Sequence, residues 1–394
     1  MSRREYWIRK ALCLGLSLSI GFVTPTMVCH RDASRWVADD ADTQVSLANG
    51  VTAWVQSSEL NTRSFSTSAQ LFDDEWVFGT YFMAGMGLSQ LVLAHPSERE
   101  ARLPVIDHCI EQLLTERVRA FDTRLWRQDA FQALEHGGSG HVAYAGYLNL
   151  LLSLRRSIAP NPKLDLLNDK LSASFEKAIL ASPTRLIETY PGQVFPVDNM
   201  SAVGSIGLRA IALGQPAPSW LGSWAQTMRE RFVDPSTGLL YQRVDVATGA
   251  PLDAPRGSGT AFGAYMLSFG ESALSHELDV AVKRELDAQW LGFGGVREYP
   301  RSMSGFGDID SGPVVFGVGV SATGFSIPSA RRLRDGDWQA RLLRTSMLFG
   351  APHHRDHETR FVSGGPLGDA LMFAMLTAPA SPIVPLRRSY PEGG

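Results

Sequence analysis

The chain has 394 residues, 44% hydrophobic and 20% charged, a globular composition with length for one large core or two small ones. A formal net charge of −3 and the lack of a long basic run with interleaved aromatics exclude a phosphate-tracking surface, so nucleic acid is not an expected partner. Three cysteines, Cys13, Cys29 and Cys109, supply neither a disulfide framework nor a cysteine-rich metal site.

Residues 1–30 read as a signal peptide or membrane anchor. Arg3, Arg4, Arg9 and Lys10 precede an apolar run over 11–28, broken by Gly15, Gly21 and Pro25. Its 18 residues reach the lower limit for a spanning helix, so a cleaved signal and a retained anchor both fit. The opening Ser2-Arg3-Arg4-Glu5-Tyr6-Trp7 loosely resembles a twin-arginine export signal, yet no A-x-A cleavage site follows, and Val28 before Cys29 is a poor lipidation box. The expected location is exported, periplasmic or membrane-anchored facing outside the cytoplasm, with this segment the only membrane contact. A polar linker is expected over 31–43.

From residue 44 the chain alternates two kinds of helical segment. One is apolar nearly all round and rich in Gly, Ala and aromatics, at 75–94, 140–154, 199–213, 259–269, 313–327 and 366–376. The other is amphipathic, at 98–121, 163–181, 219–232, 272–290 and 337–349, with 45–65 able to supply a sixth partner. A helix apolar on every side must be buried on every side, whereas an amphipathic one can face water. Six inner helices inside an outer layer satisfy both patterns, and glycines let the inner helices approach closely. The expected fold is all-α, an (α/α)6 toroid of six helical hairpins over 44–380, with a C-terminal tail over 381–394.

Loop lengths give this ring a direction. Inner-to-outer connections are short, as at 95–97 and 270–271, while outer-to-inner connections are long: 122–139, 182–198, 233–258, 291–312 and 350–365. Stretches 238–245 and 295–299 alternate like short strands, so β-hairpins are expected within the long loops. All long loops emerge on one face, which places a cleft at the N-terminal ends of the inner helices.

Candidate chemistry gathers at those ends. Gly307-Asp308-Ile309-Asp310-Ser311-Gly312-Pro313 is expected to open an inner helix with Pro313 in its first turn, leaving Asp308 and Asp310 just outside it. The alternative for both is bonding within their own turn. Asp198, before Asn199, is a helix cap or a cleft carboxylate. Glu188 and Tyr190 share a face two residues apart. His141 stands at a helix mouth beside Gly137, Gly138 and Gly140, with Tyr144 and Tyr147 following at core-like spacing. Arg297, Glu298, Tyr299 and Arg301 can hold an anionic group or form a solvated hairpin. Asp369 reads as a buried polar partner. His353-His354-Arg355-Asp356-His357-Glu358 holds metal-capable side chains but is not HExxH, and no P-loop, GxGxxG or G-x-S-x-G motif occurs, so neither metal nor cofactor is expected.

An alternating helical pattern with acidic inner-helix mouths resembles the six-hairpin glycosidase-like superfamily of (α/α)6 toroids over residues 44–380. The resemblance is architectural and transfers no catalytic residue. It implies a glycan substrate and a hydrolase, lyase or epimerase. The leading expectation is a glycoside hydrolase, one carboxyl protonating the leaving oxygen and one activating water. Asp310 and Asp198 take those roles, with Glu188 and Asp308 in reserve. Tyr190, Tyr144, Trp76, Trp126 and Tyr299 are expected sugar platforms, with His141 and Arg297 also on the substrate. A second expectation is a dehydratase or isomerase on an apolar alcohol, resembling the linalool dehydratase/isomerase toroid, although that type relies on cleft cysteines this chain does not supply. A third is a non-catalytic envelope binding protein.

Overall fold

A helix without a polar stripe needs cover on all sides, and the inner helices of this chain provide it for one another. The computed structural model describes residues 3–57, 60, 65, 70–136, 138, 140–308 and 311–386. In chain order the helices are α1 (Arg3–Val37), α2 (Ala41–Gln56), α3 (Gln70–Ala94), α4 (Arg99–Leu113), α5 (Glu116–Trp126), α6 (Ala130–Glu135), α7 (Tyr147–Ile158), α8 (Pro162–Ala181), α9 (Pro196–Leu213), α10 (Leu221–Arg231), α11 (Gly257–Leu267), α12 (Ser272–Leu286), α13 (Val320–Arg332), α14 (Gly336–Gly350) and α15 (Gly365–Leu376). The inner set is α3, α7, α9, α11, α13 and α15. Each packs on the next, and α15 returns to α3, which closes the ring. α2, α4, α8, α12 and α14 lie against it from outside, and α10 buries Leu221, Trp224 and Met228 in the same core. The fold is an (α/α)6 toroid.

Close approach depends on glycine where the backbones meet. A Cβ added at Gly207 of α9 would lie 2.5 Å from the Cα of Gly270, in the turn between α11 and α12. Glycines also seat neighbouring side chains: a Cβ at Gly85 would lie 2.7 Å from a methyl carbon of Leu151. Helix starts follow local chemistry. The Asn161 and Asp335 side chains accept the backbone N–H of Leu164 and Trp338, three residues on, and so cap α8 and α14.

The ring axis is not an open pore. Tyr265 of α11 donates to Gln90 Oε1 of α3 at 2.9 Å, and these two helices are opposite members of the ring. Gln90 Nε2 donates in turn to the carbonyl of Ala374 at 3.0 Å. Both residues are near the C-terminal ends of their helices, so the axis is bridged in its lower half.

Among the described residues, six short strands occupy two of the long loops: β1 (Asp287–Trp290), β2 (Phe293–Arg297), β3 (Val314–Val315) and β4 (Val318–Gly319) form one sheet in the order β1-β2-β4-β3, and β5 (Pro352–Arg355) pairs with β6 (Glu358–Phe361). All neighbours are antiparallel. The two-residue turns Leu291-Gly292, Phe316-Gly317 and Asp356-His357 have positive φ at both positions, the geometry that matches the twist of a tight hairpin.

Several sequence expectations shift. The inner helix expected from residue 313 starts at Val320, because Val314, Val315 and Val318 pair across the Phe316-Gly317 turn, where β-branched residues suit a strand. The outer segment 98–121 is two helices, α4 and α5, parted at Thr115, whose side chain caps α5. The segment 272–290 leaves its helix at Leu286 and enters β1. The inner segment 140–154 opens with a wide helical turn, Val142–Gly146, before α7. The stretch read as a linker over 31–43 is largely helical: α1 runs to Val37, and Cys29, Ala33 and Trp36, on one face, are buried in the core. Charged residues on the other faces gave the linker its polar look.

Candidate active site

Two carboxylates and two tyrosines meet at the mouth of the ring. Asp198 is in the first turn of α9, and its Oδ1 accepts the hydroxyl of Tyr147, the first residue of α7, at 2.6 Å. Glu75, in α3, accepts the hydroxyl of Tyr190 at 2.7 Å through Oε1. Tyr190 is delivered by the loop between α8 and α9, whose backbone pairs Tyr190 with Gln193. The four groups form one electrostatic unit. Burial drives the Tyr147 hydroxyl far above the usual phenol range, and Asp198, Tyr190 and Glu75 push it further in the same direction. Tyr147 is therefore a fixed neutral donor.

Below these groups is an aromatic floor. Phe82 of α3 packs edge-on to Tyr147 with ring centres 5.2 Å apart, Tyr147 to Phe262 of α11 at 6.0 Å, and Phe262 to Phe325 of α13 at 4.5 Å. Four inner helices thus contribute to a surface closed underneath by the Gln90–Tyr265 bridge.

A second charged cluster stands at the mouths of α11 and α13. Glu298 is fully buried, and its Oε1 accepts Arg256 Nε at 2.8 Å and Ser258 Oγ at 2.6 Å. Its backbone is fixed by Glu298 N to Gly317 O and Gly257 N to Glu298 O. Burial raises the carboxyl against the opposing pull of Ser258 and Arg256. Arg256 also pairs with Asp308 and lies over the Tyr299 ring, 5.6 Å from its centre.

The sequence candidates distribute as follows. Asp198 and Tyr190 reach the mouth. Glu188 is tied down, its Oε2 accepting Gly192 N at 2.8 Å to close its own turn. Asp308 accepts Ser311 N at 2.9 Å as well as Arg256; burial opposes ionisation, but the Arg256 hydrogen bond prevails and holds it below the usual carboxylate range. Asp310 falls outside the described residues. Tyr144 is not a platform: it is fully buried and its hydroxyl donates to Leu113 O at 2.9 Å. His141 is buried too, with Nδ1 2.7 Å from Asp122 Oδ2 and its ring stacked on Trp126 at 4.5 Å, so that face of Trp126 is occupied. Its backbone is left-handed (φ 60), and its ring is held against α5 by Asp122 and Trp126. Trp76, beside Glu75, is half-buried. Tyr299 and Arg297 are half-buried by the second cluster, the Tyr299 hydroxyl donating to Phe306 O at 3.2 Å. His353, His354 and His357 belong to the β5–β6 hairpin, which packs on α2.

Asp369 of α15 is fully buried, accepting Trp54 Nε1 and Phe361 N at 2.7 Å each. It pins the β5–β6 hairpin and α2 to the ring. Another groove, of about 390 Å³, lies between α8 and the end of α9, away from the mouth. Its Asp169 is held by Arg156 and Arg209 at 2.6 Å each, which leaves that carboxylate committed to ion pairs.

Sequence reasoning passed over Glu75 and left Tyr147 in a core stripe. The available signal was that Glu75 is the single charged residue in the apolar segment 75–94, at its mouth end.

A solved structure similar to this chain is that of a selenomethionine derivative of the GH76 alpha-mannanase BT2949 from Bacteroides thetaiotaomicron, 10% identical, with a TM-score of 0.46 and covering 79% of this chain and 87% of that one. No family model and no curated protein matches the chain. The ring is established by its own helix contacts.

Proposed function

We propose that the chain is a carbohydrate-active enzyme of glycosidase type, anchored by α1 and facing outside the cytoplasm, that adds water across a glycosidic bond. The observation that carries this reading is the meeting of Glu75 and Asp198 around Tyr147 at the mouth of a ring closed from below. One carboxyl gives its proton to the leaving oxygen while the other, ionised, takes a proton from the attacking water. Glu75 fills the place first given to Asp310. Tyr190, bonded to Glu75, and Trp76, the next residue of α3, are the proposed sugar platforms, since flat rings match the apolar face of a pyranose. Retention of α1 is supported by the burial of Cys29, Ala33 and Trp36, and its basic start, Arg3 to Lys10, fits a cytoplasmic end.

Reducing-end release from a panel of polysaccharides, α-mannan included, tests the proposal. Asp198→Asn and Glu75→Gln are each expected to lower turnover by about 10²- to 10⁴-fold with the helical spectrum unchanged. Full turnover in both variants would overturn the assignment. Loss with Asp310→Asn but not with Glu75→Gln would restore Asp310 as the second carboxylate. The aromatic floor from Phe82 to Phe325 favours a second reading, acid/base dehydration or isomerisation of an apolar alcohol, and turnover of terpenoid alcohols with none on glycans would select it.

A further inference from the structure

We infer that the tip of the β1–β2 hairpin is a lipid-contacting surface, seated at the headgroup level of the bilayer that holds α1, so that the toroid rests on the membrane by its α14 flank. This builds on α1 being a retained anchor. The tip presents two large apolar side chains to solvent, Trp290 at 74% and Leu291 at 51% exposure. Isolated exposed apolar residues are ordinary and need no explanation. The position of this pair on the molecule is what distinguishes it.

The hairpin is fastened to α14 and reaches α1. Thr345 Oγ1 accepts Gly294 N at 3.2 Å and donates to Gly294 O, while Arg344 Nε donates to Gly292 O at 2.6 Å. The other side of the Arg344 guanidinium is 3.3 Å from His30 Nδ1 of α1. A Cβ added at Gly292 would lie 3.4 Å from Thr26 Cγ2, so the turn runs alongside α1. That contact falls where α1 changes character. On the N-terminal side Leu14, Leu18, Val23 and Met27 are exposed, and on the C-terminal side Cys29, Ala33 and Trp36 are buried against the domain.

The dimensions agree with a bilayer. The apolar run 11–28 spans about 27 Å at 1.5 Å per residue, close to the roughly 30 Å hydrocarbon core. Arg3, Arg4, Arg9 and Lys10 flank one end, and His30 and Arg31 follow the other, with Arg344 beside His30, at the level where lipid phosphates lie. Tryptophan is enriched at this level because its ring is apolar and its N–H polar. A lipid surface therefore fits the tip, because the tip stands beside the end of the exposed apolar run of α1, where Val23, Met27 and Val28 are exposed.

The full-length chain with Leu291→Cys in a Cys13→Ser background is labelled with a small fluorophore, Cys29 and Cys109 being buried, and reconstituted in phosphatidylcholine/phosphatidylglycerol vesicles. The control is Leu166→Cys on α8, across the ring from α14 and also exposed. Headgroup-level nitroxide lipids are expected to quench the label at 291 at least about fivefold more than that at 166. If the unlabelled chain fails to remain with the vesicles, the anchor and this inference fall together. If it remains but both labels are quenched equally, this inference alone is overturned. Shielding at 291 that follows protein concentration and not lipid quencher would assign the tip to a second copy, and would likewise overturn it.

Discussion

Gly207→Ala tests how tightly the ring is drawn. A Cβ at this position would lie 2.5 Å from both the Cα and the carbonyl oxygen of Gly270, and 2.7 Å from its carbonyl carbon. All three are backbone atoms of the turn joining α11 to α12, so none can swing aside as a side chain would. In a free helix alanine is better than glycine by about 0.5–1 kcal/mol. Overpacking costs about 1–3 kcal/mol, and an obstruction made of backbone belongs in the upper part of that range. The expected net effect is destabilisation by about 1–2 kcal/mol. Gly324 of α13 is the matched control, with nothing within 4 Å of an added Cβ and no positive φ. Gly324→Ala is expected to stabilise by up to about 1 kcal/mol. Urea unfolding with an unchanged slope should show midpoints moving in opposite directions. A Gly207→Ala midpoint at or above wild type would mean that α9 and the α11–α12 turn are not in contact, and the close-packed ring would be refuted.

Two further perturbations probe the interior. Burial pushes the Asp369 carboxyl up to about 6, so the folded chain holds this proton more tightly than the unfolded one. Its contribution to stability is complete below the ordinary value of 3.8 and is lost as pH rises through about 6, a change on the order of 3 kcal/mol. In urea melts between pH 4 and 7, the stability of wild type relative to Asp369→Asn should fall as pH rises; a constant difference would contradict the assignment. Tyr265→Phe removes the bond across the axis and leaves Gln90 Oε1 buried without its donor, an expected loss of about 1–3 kcal/mol. In a double-mutant cycle with Gln90→Leu, additivity within about 0.5 kcal/mol would show that the bridge carries no coupling.

The ring was legible because burial leaves a mark on composition. Segments such as 199–213 admit almost no charge, and each of the six segments of this kind overlaps an inner helix. Local pairing is harder to see. Pro313 is a good helix start, yet the valines after it found partners across a two-residue turn, so tertiary pairing overrode the local signal. Asp198 was visible by its place at a helix start, but the partner of a mouth residue is set by which helices become neighbours. Tyr147 and Asp198 are 51 residues apart, and Tyr190 and Glu75 115 apart. His141 misled for a related reason: glycines around a histidine permit a turn toward the opening, and equally a left-handed turn that buries the ring on Trp126.

The wall and the proposed chemistry share an element, which extends the Gly207 experiment to function. Asp198 is nine residues before Gly207 on α9, or about 14 Å at 1.5 Å per residue, along a helix of unbroken hydrogen bonding. A helix of this length moves as a body. Relief of the clash at Gly207 is therefore expected to displace Asp198 relative to Tyr147 of α7. If Asp198 and Glu75 act as a pair on one bond, a misplacement of this kind lowers kcat through orientation while substrate still binds the aromatic surface, so KM changes little. Gly324→Ala leaves α9 where it is and should leave kcat unchanged. Equal kcat in the two variants, with Gly207→Ala destabilised as expected, would separate the wall from the site and show that α9 does not set the position of the carboxylate.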